Sequence, residues 1–338
     1  MISTNESGEN TTITNTQSAS LIVYPVGPSG PRAEPQTLFS YPVSSDCDID
    51  HLFPSPNSIH LILEFNCHAN AFILLWDLRN LTAPILALDR GYFLNWSPDG
   101  NWFLFRHIDT NQMALITADG SAQVVLEKLP FGTYNATFTL DGKQIIYAAS
   151  QGLGFGSEMG SLDLAENSLV IQKQFTDQIA TFPRWSPDGN QLAYILLADN
   201  NIPYTIGELW LSDTSDNKDI LVAEVDAGRG YPPVWSPDGR GVVFVYRENP
   251  QSVPADYLAN ALHSNLRQVD AATHEITALT TFTDTLVYDP VWQPDGSQLA
   301  FTAGDAIWLV EPGQPPIRLT ETGIARHPAW ITLPESNP

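Results

Sequence analysis

Basic residues are scarce. Fifteen Lys and Arg stand against 38 Asp and Glu in a chain of 338 residues, a net charge of −23. A surface of that sign repels nucleic-acid phosphates and anionic headgroups, which argues against both as partners. Long apolar runs are missing too. None approaches the roughly 18 residues of a membrane-spanning helix, so no direct membrane insertion is expected. The first 20 residues have neither the basic start nor the apolar core of a secretory signal. Familiar catalytic signatures are absent. The segment nearest to a Gly-x-Ser-x-Gly elbow, residues 152–160, has Phe155 where the first glycine is required. There is no His-Glu-x-x-His pair, no glycine-rich phosphate loop and no zinc-type cysteine pairing.

What the chain does contain is a repeat. Trp96-Ser97-Pro98-Asp99-Gly100 returns as Trp185-Ser186-Pro187-Asp188-Gly189 and as Trp235-Ser236-Pro237-Asp238-Gly239. Softer copies are Trp292-Gln293-Pro294-Asp295-Gly296 and Phe138-Thr139-Leu140-Asp141-Gly142, with a worn one at Phe53-Pro54-Ser55-Pro56-Asn57. The turn residue recurs at 57, 99, 141, 188, 238 and 295, so the spacing is 42 residues twice and then grows. A period near 40 with insertions is the signature of propeller blades. In each copy Pro presets one turn dihedral, and Asp-Gly supplies a polar turn residue beside a conformationally free one. The run that follows is almost continuously apolar, as in a strand covered on both faces.

These residues resemble the β-propeller repeats of the TolB family, which also occur in the propeller domains of prolyl oligopeptidase-type and tricorn-type peptidases. The resemblance spans about residues 48–332. It implies an all-β propeller of four-stranded blades. It also implies a binding role, with a protein partner in an envelope assembly, although the α/β domain that precedes the TolB propeller is not found here.

The terminal pieces set the expected blade count. Residues 21–27 and 35–42 read as the third and fourth strands (C and D) of a blade, while Arg326-His327-Pro328-Ala329-Trp330 copies a first strand (A) with no second strand after it. Completing one blade from both ends removes exposed sheet edges, so seven blades are expected, one shared between the termini; six is the alternative. The domain plan is then a Ser/Thr/Asn-rich disordered tail over 1–19, one propeller over 20–333 and a short tail over 334–338. The repeat register sets Cys47 opposite or nearly opposite Cys67, within disulfide range. A bridge there implies an oxidising, extracytoplasmic location, periplasm or cell surface.

The candidate site lies where the A strands enter the channel. Tyr92, Tyr134, Tyr231 and Tyr288 share one repeat position, with Asp289 beside the last and Arg326 and His327 in the closing copy. Aromatic walls with a few convergent polar groups are what ligands and protein partners use; packing between blades is the competing role. His51, His68 and His107 could also approach this mouth. The enlarged B-to-C loops, 149–160, 198–207 and 248–264, belong to three consecutive blades and crowd one sector of the same face. Within the last, Ser252-Val253-Pro254 reads as the capped start of a short helix. Asp99, Asp141, Asp188, Asp238 and Asp295 are assigned to turns. No catalytic or metal residue is assigned and no cofactor is expected. The alternating Asp46, Asp48 and Asp50 offer oxygen ligands for Ca²⁺, but a solvated acidic edge is preferred. The function expected is a non-enzymatic binding propeller for a protein, a small ligand or an oligosaccharide. The alternative is a carbohydrate-active lyase or hydrolase sited at the channel mouth.

Overall fold

The computed structural model describes all residues except 1, 5–9, 13–15, 28–29, 32–33, 45–46, 68–69, 81, 83, 216–217, 227–230, 322–323 and 332–338. Six four-stranded antiparallel sheets form the blades of a propeller. Blade 1 comprises Cys47–Pro54, His60–Cys67, Asn70–Asp77 and Leu86–Asp89. Blade 2 comprises Gly91–Trp96, Trp102–His107, Met113–Thr117 and Gln123–Val125; blade 3, Thr133–Phe138, Gln144–Ala149, Ser157–Asp163 and Ser168–Phe175. Blade 4 comprises Gln178–Trp185, Gln191–Ala198, Ile206–Asp213 and Asp219–Asp226; blade 5, Val234–Trp235, Gly241–Arg247, Ser264–Asp270 and Ile276–Ala278. Blade 6 comprises Val287–Trp292, Leu299–Ala303, Ala306–Val310 and Ile317–Arg318.

The core lies between blades. Phe103, Leu104 and Phe105 on strand B of blade 2 are all fully buried, because neighbouring sheets cover both faces. Burying each such side chain contributes about 2 kcal/mol. Ile62 and Ile73 of blade 1 pack with Phe93, Trp96 and Phe103 of blade 2, and equivalent clusters join blades 2 to 3, 3 to 4, 4 to 5 and 5 to 6. The D strands are the outer edge: Gln123–Val125 and Ile276–Ala278 are exposed throughout.

The turn motif works through its serine. Ser97 Oγ donates to Asp99 Oδ1 at 2.6 Å and accepts from Trp102 N–H at 2.9 Å, while Asp99 Oδ1 also accepts from Asn101 N–H. Ser186 with Asp188, Ser236 with Asp238 and Thr139 with Asp141 repeat this relay. Asn57 does the same in blade 1 through its amide oxygen. In blade 6 Gln293 replaces the serine, and Ser297 Oγ bridges Asp295 and Gln293 instead. Each turn glycine has positive φ, and a side chain there would meet the preceding turn: Pro98 beneath Gly142, Pro187 beneath Gly239, Pro237 beneath Gly296. The turns therefore form a tightly stacked belt.

The six-blade count is the one realised. Among the described residues, Thr16–Val23 pairs only with Gln36–Ser44, and residues 324–331 join no ladder. The reason is geometric. Neighbouring strands lie about 4.8 Å apart, so an A strand and a C strand without a B strand between them stand about 10 Å apart and cannot hydrogen-bond. The closing segment still takes the A-strand place. Trp330 Nε1 donates to Val291 O of blade 6 at 3.0 Å, just as Trp96 reaches Phe53 O and Trp235 reaches Arg184 O of the preceding blade. Ile331, together with Leu21 of the N-terminal hairpin, rests on the core of blade 1. The tail expected to be disordered over 1–19 lies partly outside the described residues; Ile2–Thr4 pairs with Asn10–Thr12, and residue 16 already belongs to a strand. Residues 334–338 lie outside them. Cys47 stands opposite Cys67 in the register, and Cys67 is disulfide-bonded.

Two outcomes test the relay. Ser236→Ala should lower the unfolding free energy by about 1–2 kcal/mol, read by urea denaturation, whereas Asp188→Asn, which copies Asn57, should cost little. A Ser236→Ala protein as stable as the parent would overturn the relay. The turn carboxylates also fix the acid response. Hydroxyl hydrogen bonds, then backbone N–H groups, hold Asp99, Asp188 and Asp238 below the usual carboxylate range, and Ser121 holds Asp119 down at about 2. The stability they add is complete above the unfolded carboxyl value near ~4 and is lost as pH falls through the depressed native values. Melting temperature should therefore drop from about pH 4 downward, and less steeply in the Asp188→Asn protein.

Candidate functional site

Every A strand but one carries a bulge near its channel end, between Ile49 and His51, Phe93 and Asn95, Thr133 and Asn135, Thr181 and Arg184, and Tyr288 and Val291. Proline causes the later ones. Pro183 and Pro290 lack the N–H that a ladder needs, so pairing skips them. The residues just before Pro183, Pro290 and Pro328 are Phe182, Asp289 and His327, and all three have positive φ, between +51° and +57°. That conformation is unfavourable for a side-chain-bearing residue and turns the side chain out of the ladder.

At the junction of blades 6 and 1 this geometry brings polar groups together. His327 Nδ1 lies 2.5 Å from Asp289 Oδ2, and His51 Nε2 lies 3.9 Å from Asp289 Oδ1. On its other side His51 Nδ1 faces Glu64 Oε1 at 3.8 Å and has no hydrogen-bond partner. Glu64 is buried, and its Oε2 accepts from Phe93 N–H at 2.9 Å. Burial works against a charged His51 imidazole, but the carboxylates of Glu64, Asp289 and Asp50 outweigh it and raise its pKa above the ordinary value. Rings continue the site in both directions: Tyr231 to Tyr288, Tyr288 to His327, His327 to His51, His51 to Phe53, with centroids 5.2–6.0 Å apart.

Of the residues expected at the mouth, Tyr231, Tyr288, Asp289 and His327 do converge. Tyr231 is only 5% exposed and belongs to the core between blades 5 and 6, so packing is its main role. Arg326 turns away and pairs with Asp305 at 2.6 Å. Tyr92 is exposed on blade 2. The hydroxyl of Tyr134 donates to Ala180 O of the next blade, and burial pushes its pKa up. Tyr134 also lines an open cavity of about 370 Å³ with Arg106, Asn111, Phe131, Leu153 and Asp199. Glu64 escaped the sequence reading. Its signal was a single charge inside the apolar run of residues 59–65. Asp46 and His68, and the Asp48 side chain, lie outside the described residues; Asp50 sits with His51 and Glu64. His107 contacts Gln123 instead of the cluster.

The three enlarged loops are tied to one another. Asp199 Oδ2 accepts from Gly154 and Gly156 N–H, which joins the blade 3 loop to the blade 4 loop. Arg247, fully buried, donates to Asp226 and Asp256 at 3.0 Å each and to Tyr204 O, which joins blade 4 to blade 5. The expected helix is present as Val253–Tyr257 with Ser252 as N-cap, followed by a 3₁₀ turn at Ala259–Ala261. This scaffold leaves apolar side chains in solvent: Phe131, Leu153, Phe155, Val253, Tyr257 and Leu258 are 55–78% exposed.

No protein-family model matches the chain, and no curated protein does. Solved structures do. A putative TolB from Agrobacterium tumefaciens aligns at 16% identity and a TM-score of 0.50, covering 70% of this chain and 83% of its own. The β-propeller domain of the Trilobed protease from Pyrococcus furiosus, described as having an open velcro topology, aligns at 12% identity and a TM-score of 0.54, covering 83% and 85%. Prolyl endopeptidases align at 11% identity and a TM-score of 0.58, covering 86% of this chain and 45% of theirs. The fold shared with these proteins is the β-propeller, TolB among them.

Arg247→Ala should destabilise the protein by about 3–5 kcal/mol, because it breaks a buried ion pair with Asp226 and removes the bonds to Asp256 and Tyr204 O. Chemical denaturation measures this, and a loss under 1 kcal/mol would show that the ion pair does not organise the loops.

Proposed function

We propose that the protein is a non-catalytic binding propeller of the TolB-like kind, and that it docks a protein partner on the face that carries the enlarged loops. The observation that carries this reading is the set of exposed apolar side chains, Leu153, Phe155, Val253, Tyr257 and Leu258, on loops held by cross-blade hydrogen bonds, with Phe131 exposed on the neighbouring connection between blades 2 and 3. Exposed aromatic and aliphatic groups on a pre-ordered surface dock partners at little cost in ordering. The surrounding charge of −23 favours a partner with a basic rim. The disulfide at Cys67 supports work in an oxidising compartment outside the cytoplasm. Among the described residues no helix is long and apolar enough to cross a membrane.

The test is cross-linking from position 153 in extracts of the source cell. Phe155→Asp combined with Tyr257→Asp should cut partner capture at least tenfold without changing the circular dichroism spectrum. Lys143→Glu and Arg240→Glu, on the turn face, should leave capture intact. The opposite pattern would overturn the assignment.

The convergence of His51, Asp289 and His327 favours a second reading, a carbohydrate lyase or hydrolase at the mouth. It predicts turnover of acidic or neutral oligosaccharides that disappears in His51→Gln. Such turnover would displace the binding reading.

A further inference from the structure

The junction of blades 6 and 1 differs from the other five. Elsewhere an apolar cluster spans two neighbouring blades. On this side, among the described residues, the core of blade 1 is met by Leu21 and Ile331, and not by a residue of blade 6. The groups that reach across are polar: His51 from blade 1, Asp289 from blade 6 and His327 from the closing segment wedged between them.

We propose that His51, Asp289 and His327 bind a divalent first-row cation of the zinc class, which clasps the ring shut. One ligand atom from each residue lies within 4.8 Å of the others. Four-coordinate zinc with bonds of about 2.0–2.1 Å holds its ligand atoms about 3.3 Å apart. His327 Nδ1 stands 2.5 Å from Asp289 Oδ2 and His51 Nε2 3.9 Å from Asp289 Oδ1, so rotation of the carboxylate and small side-chain shifts are needed to gather three ligand atoms around one ion. Two imidazoles and one carboxylate select zinc and its neighbours over calcium or magnesium, which prefer all-oxygen shells.

Glu64 supplies the outer support. An imidazole that binds metal through one nitrogen donates its other N–H to a carboxylate or carbonyl. His51 Nδ1 is buried without a hydrogen-bond partner and faces Glu64 Oε1 at 3.8 Å, while Glu64 is itself fixed by Phe93 N–H. A small rotation closes that bond and leaves Nε2 aimed at Asp289. The side chains of His51, Asp289 and His327 are 33%, 11% and 14% exposed, so the ion enters from the channel and keeps room for a water. A metal bound through His327 Nδ1 takes the place of the contact with Asp289 Oδ2 and requires the imidazole proton to sit on Nε2. The inference is independent of whether the loop face binds a protein.

The experiment uses the full chain without a polyhistidine tag, stripped with a chelator. Zn²⁺ is added in a calorimeter, and Co²⁺ in parallel under visible absorption. One equivalent of Zn²⁺ should bind and raise the melting temperature. His51→Gln, Asp289→Asn and His327→Gln should each weaken binding at least tenfold, and Glu64→Gln by about tenfold. His263→Gln and His274→Gln should leave it unchanged. No stoichiometric binding, or equal affinity in the three ligand variants, overturns the proposal. Where a variant fails to fold, the parent's Co²⁺ spectrum decides: intensified absorption supports the site, and a spectrum identical to Co²⁺ in buffer overturns it.

Discussion

A blade of this protein has no inside of its own. Each sheet is apolar on both faces, and only the neighbouring sheets can cover them. Five junctions meet that requirement with interdigitated side chains, from Ile62 against Phe103 on one side of the ring to Val245 against Phe301 on the other. The sixth must be met by whatever the two ends of the chain can supply. That single demand explains why Trp330, far along the sequence, makes the same bond to blade 6 that Trp96 makes to blade 1, and why Ile331 and Leu21 share the outer surface of Leu61 and Trp76.

Much of the architecture was readable because it repeats. The spacing of the Asp-Gly turns defined the blades, and the continuous apolar runs after them became the buried B strands without exception. The relay from Ser97 to Asp99 was implicit in the residue types, since a short hydroxyl and a short carboxylate two residues apart can share one turn. The blade count was less legible. The terminal segments resemble blade strands, and the lack of a B strand between them was visible, but a sheet is made by hydrogen bonds between adjacent strands, and the sequence pattern did not weigh the gap that its absence leaves. The Cys47–Cys67 register was legible because it follows from the repeat itself.

The mouth was only half readable. Repeat position correctly grouped Tyr231, Tyr288, Asp289 and His327. It could not distinguish a tyrosine wedged between blades, as Tyr231 is, from one facing solvent, as Tyr92 is, because both follow the same spacing. It also missed Glu64. A buried carboxylate on strand B has no meaning until blade 2 brings Phe93 N–H against it and blade 1 turns His51 toward it. Convergence of this kind depends on which neighbour the ring supplies, and a repeat pattern treats all neighbours as equal.

The prolines that interrupt the A strands have a consequence for how such a ring can change. Because pairing already skips Pro183 and Pro290, the residues at Phe182 and Asp289 contribute nothing to the ladder. Their identity is free of the constraint that governs the rest of the strand. One blade has put a phenyl ring there, another a carboxylate, and the closing segment an imidazole. Evolution can thus rewrite the inner rim one blade at a time, much as letters are changed on a dial, while the frame that holds the dial stays the same.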